Sequence, residues 1–189
     1  AELPINQLTR HMFWTMSYPH GVLGTPRASL IDTDECGIWL DYTNRTYGKA
    51  LTGVSVREAG KYNRTGEKWT LILSVDCNRV VGFRFRKVSG TTTDEFVSFL
   101  RNDVFPNLPT GGPQRTFLWD NLGAHLNSTV HNLVTGAGHR VLCRAPYMPS
   151  DGPIEYVFNQ VDVHLKKLQD KVMTDTDLVT AMTTVLSNI

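Results

Sequence analysis

The sequence predicts an α/β domain, a mixed sheet with helices packed on it. Two apolar runs of strand length, residues 69–76 and 79–87, are separated only by Cys77-Asn78 and read as a hairpin. Further on, short apolar runs alternate with segments of helical periodicity, the pattern of crossover connections. No apolar run approaches the roughly 18 residues of a membrane span, and no repeat or secretory segment is visible.

Residues 1–28 lack clean periodicity and are expected to form a leader packed on the domain, with a short helix over 7–16. Residues 29–35 read as a strand, and 37–42 as a second strand after a tight Cys36-Gly37 connection. The stretch 43–68 carries Arg45, Lys49, Arg57, Lys61, Arg64 and Lys68 among Gly, Asn and Thr. It reads as a solvated connector or as a basic loop that touches phosphates. After the hairpin, residues 92–105 form a helix. Thr92 and Glu95 make a capping-box pattern, Phe96, Phe99, Leu100 and Val104 supply the stripe, and Pro106 ends the helix. A strand over 116–119 follows, then a helix over 127–135 stopped by Gly136 and Gly138, and a short strand over 140–144. The strongest helical pattern spans 154–172, with Ile154, Val157, Phe158, Val161, Leu165 and Leu168 on one face. A weaker helix covers 175–189.

The chain of 189 residues, 41% hydrophobic and 20% charged, is long enough for one domain with a real core. A net charge of +1 means that any DNA contact must come from local basic patches. Cys36, Cys77 and Cys143 are odd in number and widely spaced. They read as reduced and mostly buried, which points to an intracellular protein. The Asn-x-Thr sites at Asn44, Asn63 and Asn127 are accordingly discounted as glycosylation sites.

The chemistry concentrates in residues 116–155. The first strand of this stretch runs into Asp120, and the last helix opens on Glu155. Two acids at the ends of neighbouring elements can meet at one edge of a sheet, to bind divalent metal or to do acid–base work. Upstream, Asp32 and Asp34 share one face of a core strand, which is costly without a compensating partner. That is the local argument for a metal.

The sequence Asp120-Asn121-Leu122-Gly123-Ala124-His125, followed by Pro146-Tyr147-Met148-Pro149 and then Gly152-Pro153-Ile154-Glu155, resembles the second and third motifs of DDE transposases of the mariner-like superfamily. Thirty-four residues lie between Asp120 and Glu155, the spacing of that subgroup. Gly152 departs from the family's usual Asn, but Gly can serve as an N-cap before Pro153.

The resemblance implies a ribonuclease H-like fold over residues 29–189. It implies that Asp34, Asp120 and Glu155 are the catalytic, metal-holding acids. Strand geometry alone leaves Asp32 open as the alternative first acid; the Asp34-Glu35 pair matches the family's first motif. The resemblance further implies two Mg²⁺ or Mn²⁺ ions that clamp the attacking and leaving oxygens of a phosphoryl displacement. The reactions that the resemblance implies are cutting at transposon ends and joining of a 3′-hydroxyl to target DNA. A nuclear location in a eukaryotic host is expected only from the resemblance.

Supporting roles fall to Asn121 and His125, each with an ordinary structural role as the competing reading. Lys166 and Lys167, with Arg45 and Arg64, are candidate DNA contacts, although solvated lysines are the default. The implied partners are DNA and, in the full-length protein, a second copy of the chain. The chain begins without Met and is expected to be a fragment that lacks an upstream helix-turn-helix region. The rivals are a domesticated non-catalytic module that binds DNA or protein, and a nuclease of the same fold without strand transfer.

Overall fold

The computed structural model describes residues 4–40, 50–53, 68–88, 90–145, 152–168 and 171–189. Five strands form one sheet: β1 (Leu30–Ile38), β2 (Trp69–Val75), β3 (Val80–Arg86), β4 (Thr116–Trp119) and β5 (Arg140–Cys143). Their order is β3-β2-β1-β4-β5. The β1-β2 and β2-β3 pairs are antiparallel, whereas β4 runs parallel to both β1 and β5. The helices are α1 (Pro4–Thr15), α2 (Thr93–Phe99), α3 (Ser128–Gly136), α4 (Ile154–Lys167) and α5 (Asp175–Leu186).

Strand alternation sorts the apolar side chains to the two faces of the sheet. One face carries Leu71, Leu73 and Ile38, packed against Ile154, Val161 and Leu165 of α4 and Leu178 and Met182 of α5. The other carries Ile31, Ile72, Phe117 and Trp119, covered by Phe96 and Phe99 of α2 and Val130 and Val134 of α3. Phe13 of α1 packs on Leu118 and Leu142, so the leader is seated on β4 and β5. Helix α5 is also tied to the hairpin, since Asp175 accepts from Trp69 Nε1 at 3.2 Å and pairs with Lys87 at 2.7 Å.

Several sequence expectations change. The tight connection expected at Cys36-Gly37 before a second strand over 37–42 is not there, because β1 continues through Cys36 and Gly37 to Ile38; residues 41 and 42 lie outside the described residues. Gly37 makes room for a neighbour, not a turn: a Cβ there would lie 2.3 Å from Lys68 Cε. Helix α2 is shorter than expected and continues as a wider π-type turn (Leu100–Val104) and a 3₁₀ turn (Phe105–Asn107), with Pro106 inside the latter. Its capping box is half formed. Thr92 accepts from the Glu95 N–H, but the Glu95 carboxylate is drawn to Arg86 at 2.5 Å. A complete box forms instead at α5, between Thr174 and Asp177. Helix α4 ends at Lys167, short of residue 172. The cysteines are free, but Cys77 is exposed and Cys36 and Cys143 are only partly buried. Among the described residues, no helix is long and apolar enough to cross a membrane.

Candidate metal-dependent nuclease site

Strand register assembles the site. Asp32 pairs with Leu118, and Leu118 pairs with Leu142. Two residues further along each parallel strand, Asp34, Asp120 and Arg144 therefore stand at the same level. Asp120 and Arg144 lie just past the carboxyl ends of β4 and β5, where open α/β sheets bind their ligands, and Asp34 stands level with them within β1, which runs on to Ile38. Helix α4 begins beside them and brings Glu155 in its first turn.

The structure separates the two aspartates of β1. Asp32 is 3% exposed and both of its oxygens are engaged. Arg144 Nη1 reaches Oδ1 at 2.5 Å, and the Ile154 N–H donates to Oδ2 at 3.1 Å. Burial pushes its carboxyl up to about 6, against the opposing pull of Arg144 and the Ile154 N–H. Asp34 keeps a side chain that is 19% exposed. It receives its neighbour's backbone N–H, from Glu35, at 2.7 Å and Arg144 Nη2 at 2.8 Å. Burial raises its carboxyl, and the charge of Asp120 adds to that.

Asp120 is half exposed and bonded to His125 Nδ1 at 2.8 Å. That hydrogen bond holds its carboxyl below the usual range. His125 is buried, and its Nε2 lies 3.2 Å from Glu35 Oε1. Its ring packs 4.2 Å from that of Phe96 and 5.9 Å from that of Trp119. Burial opposes a charge there, but the hydrogen bonds to Asp120 and Glu35 outweigh it and lift the imidazole to about 9. His125 is thus an imidazolium at neutral pH. The carboxyl of Glu155 is raised by burial and then by the charge of Asp34.

Asp34, Asp120 and Glu155 offer only oxygen donors, and Asp34 feels the charge of both others or is felt by them. A cluster of carboxylates that repel one another is what a hard divalent cation relieves, and oxygen donors suit Mg²⁺ or Mn²⁺. Among the described residues, no three potential ligands converge closely enough to hold an ion. Arg144 supplies the positive charge on Asp34 in this arrangement.

Of the supporting residues, Asn121 donates to the Arg144 carbonyl at 2.8 Å and so ties the end of β4 to the end of β5. Lys166 pairs with Asp162 at 2.8 Å one turn back on α4, and Lys167 is exposed at the end of that helix. Arg45, Arg64 and the Pro146–Asp151 stretch lie outside the described residues. Sequence reasoning missed Arg144 and Glu35. The cost of two aspartates on one strand face pointed to a cation, and a buried arginine meets that need as well as a metal does. A lone charged residue directly after the apolar run Val141-Leu142-Cys143 was the available signal.

No family model and no curated protein matches the chain. Solved structures do. The Mos1 mariner paired end complex with Mn aligns with a TM-score of 0.63 at 20% identity, over 87% of this chain and 54% of that one. The Mos1 transposase catalytic domain with raltegravir and Mg aligns with a TM-score of 0.64 at 15% identity, over 88% and 74%. The simian T-cell lymphotropic virus intasome in complex with the PP2A regulatory subunit B56 gamma aligns at 0.56 and 18%, over 85% and 49%. The chain spans about half the length of the Mos1 chain in the paired end complex. It has the ribonuclease H-like fold of transposase and integrase catalytic domains. Within that class it is similar in fold to the catalytic domain of the Mos1 mariner transposase.

Proposed function

We propose that this chain is the catalytic domain of a mariner-like DDE transposase, which cuts DNA at transposon ends and joins the freed 3′-hydroxyl to target DNA. The observation that carries the reading is the placement of Asp34 in β1 level with Asp120 at the carboxyl end of the parallel strand β4, with Glu155 in the first turn of α4 beside them. The similarity of fold to Mos1 complexes with transposon ends supports it. Asp34, Asp120 and Glu155 would hold two Mg²⁺ or Mn²⁺ ions. Such a pair, when bound, stabilises the attacking and leaving oxygens of an in-line phosphoryl displacement.

The remaining work falls to the chain's own groups. His125, held by Glu35, fixes the rotamer of Asp120. Asn121 fixes the spacing of β4 and β5 at the strand ends. Asp32, closed off from solvent, serves the framework instead of the ions. Lys167, exposed at the end of α4, is available to a DNA backbone as a point charge. The protein acts on DNA inside the cell, in the nucleus of a eukaryotic host, and as a dimer.

A second reading is a domesticated DNA-binding module without catalysis. The observation favouring it is Arg144, whose guanidinium already occupies both Asp32 and Asp34. Incubation with paired-end DNA and Mn²⁺ separates the two. Strand cleavage by the wild type that disappears in Asp120→Asn supports the transposase. Binding of DNA with cleavage that is identical in both proteins contradicts it.

A further inference from the structure

We infer that Asp32 and Arg144 form a buried brace that positions Asp34 and Glu155 relative to each other, so that both are positioning residues for the acids and neither is a ligand. The inference rests on the metal-holding role given above to Asp34, Asp120 and Glu155.

Three elements meet at Asp32. It stands on β1. Its Oδ1 takes Nη1 of Arg144, which follows β5, and its Oδ2 takes the N–H of Ile154, the first residue of α4. Pro153 precedes α4, and among the described residues no neighbouring side chain in sequence caps its first turn. The first N–H groups of a helix have no partner within it. Here the partner for Ile154 comes from across the sheet, so Asp32 caps α4 from a distance. Glu155 is the next residue, and its direction is set by that contact.

Arg144 completes the brace. Its planar fork spans two carboxylates, with Nη1 on Asp32 and Nη2 on Asp34 at 2.8 Å. Such a fork fixes orientation as a lysine ammonium does not. Its own carbonyl is held by Asn121 Nδ2 at 2.8 Å. The chain of contacts therefore runs from the Asp120-Asn121 corner through Arg144 to Asp34, and through Asp32 to the helix that carries Glu155. Arg144 is 5% exposed, so the fork is held away from competing water. The brace leaves Asp34 partly open to solvent and closes Asp32.

Residues outside a metal's own ligands that orient those ligands change metal affinity by about ten- to a hundredfold when removed. The test uses the 189-residue chain and Mn²⁺ alone. Asp32→Leu and Arg144→Met each strand a buried charge, but the double variant replaces the pair with apolar side chains and recovers stability lost in the singles. The expected result is that the double variant melts as a folded protein, yet binds Mn²⁺ about ten- to a hundredfold more weakly than wild type. Binding equal to wild type in that variant makes the pair purely structural and overturns the inference.

Amide exchange at Ile154 in the wild-type protein gives an independent check that requires no variant to fold. The brace predicts that the Ile154 N–H stays protected when Mg²⁺ is added. Loss of that protection means that Asp32 has turned to the metal, and also overturns the inference. Absence of Mn²⁺ binding by the wild type overturns the metal role itself together with the brace, whereas wild-type binding that the double variant retains overturns the brace alone.

Discussion

His125 Nδ1 meets Asp120 Oδ1 at 2.8 Å, and this contact joins the aromatic interior between the sheet and α2 to the half-exposed acid at the end of β4. The imidazole is wedged beside Phe96 and Trp119 and reaches Glu35 on its far side. Truncation at His125 removes two charge-assisted hydrogen bonds and leaves Glu35 without its buried partner. His125→Ala should lower unfolding stability by about 1.5–3 kcal/mol, the range for hydrogen bonds to charged groups. Urea denaturation followed by tryptophan fluorescence measures this. A loss below the uncertainty of that extrapolation would show that the contact contributes nothing to the fold.

Much of this arrangement was legible in the sequence because it follows from periodicity and local chemistry. The β2-β3 hairpin, the α4 stripe, the strand that carries Asp34 and the strand that runs into Asp120 need only alternation and turn signals. What was not legible depends on partners distant in the chain. Gly37 looks like a turn residue until Lys68 is seen to lie over it. Thr92 and Glu95 spell a capping box, but Arg86 takes the Glu95 carboxylate. Asp32 and Asp34 are equivalent by strand geometry, and only the positions of Arg144 and the Ile154 N–H distinguish them. The cap of α4 was sought at Gly152, its local sequence position, and is supplied by Asp32 on β1.

Gly82 of β3 shows the same dependence on distant packing. A Cβ at this position would lie 2.1 Å from the Asp103 carbonyl oxygen, a backbone atom of the turn that continues α2. That carbonyl also accepts from Asn107 Nδ2 at 2.9 Å, so it cannot move freely. Gly82→Ala should destabilise by about 1–3 kcal/mol, as overpacking does. A melting temperature equal to that of wild type would mean that β3 and this turn are further apart than described.

The pH dependence of stability should carry a contribution from His139. Its Nδ1 accepts the Arg115 N–H at 3.3 Å, and its ring packs on Phe105 and Phe117. Burial, with the charge of Arg115 added, lowers its proton affinity below the ordinary value of 6.5. The unfolded chain therefore binds the proton more readily than the folded one. The stability gained from neutral His139 is fully present above pH 6.5 and is lost as pH falls through that value and the lower folded one. Melting of wild type and His139→Gln between pH 8 and pH 5, about the interval in which histidine titrates, should show wild type losing more stability toward acid. Parallel curves would exclude this contribution.

The central claim is that Asp34, Asp120 and Glu155 together hold divalent metal. Calorimetric titration of Mn²⁺ into the wild type, Asp34→Asn, Asp120→Asn and Glu155→Gln, paired with thermal shift, tests it most directly. A ion bound only by the folded protein stabilises it by mass action, by about 2.7 kcal/mol at a hundredfold excess over Kd. The account predicts saturable binding and a raised melting temperature in the wild type, with both lost in each of the three variants. Wild-type binding that survives unchanged in all three would place the metal elsewhere and contradict the account.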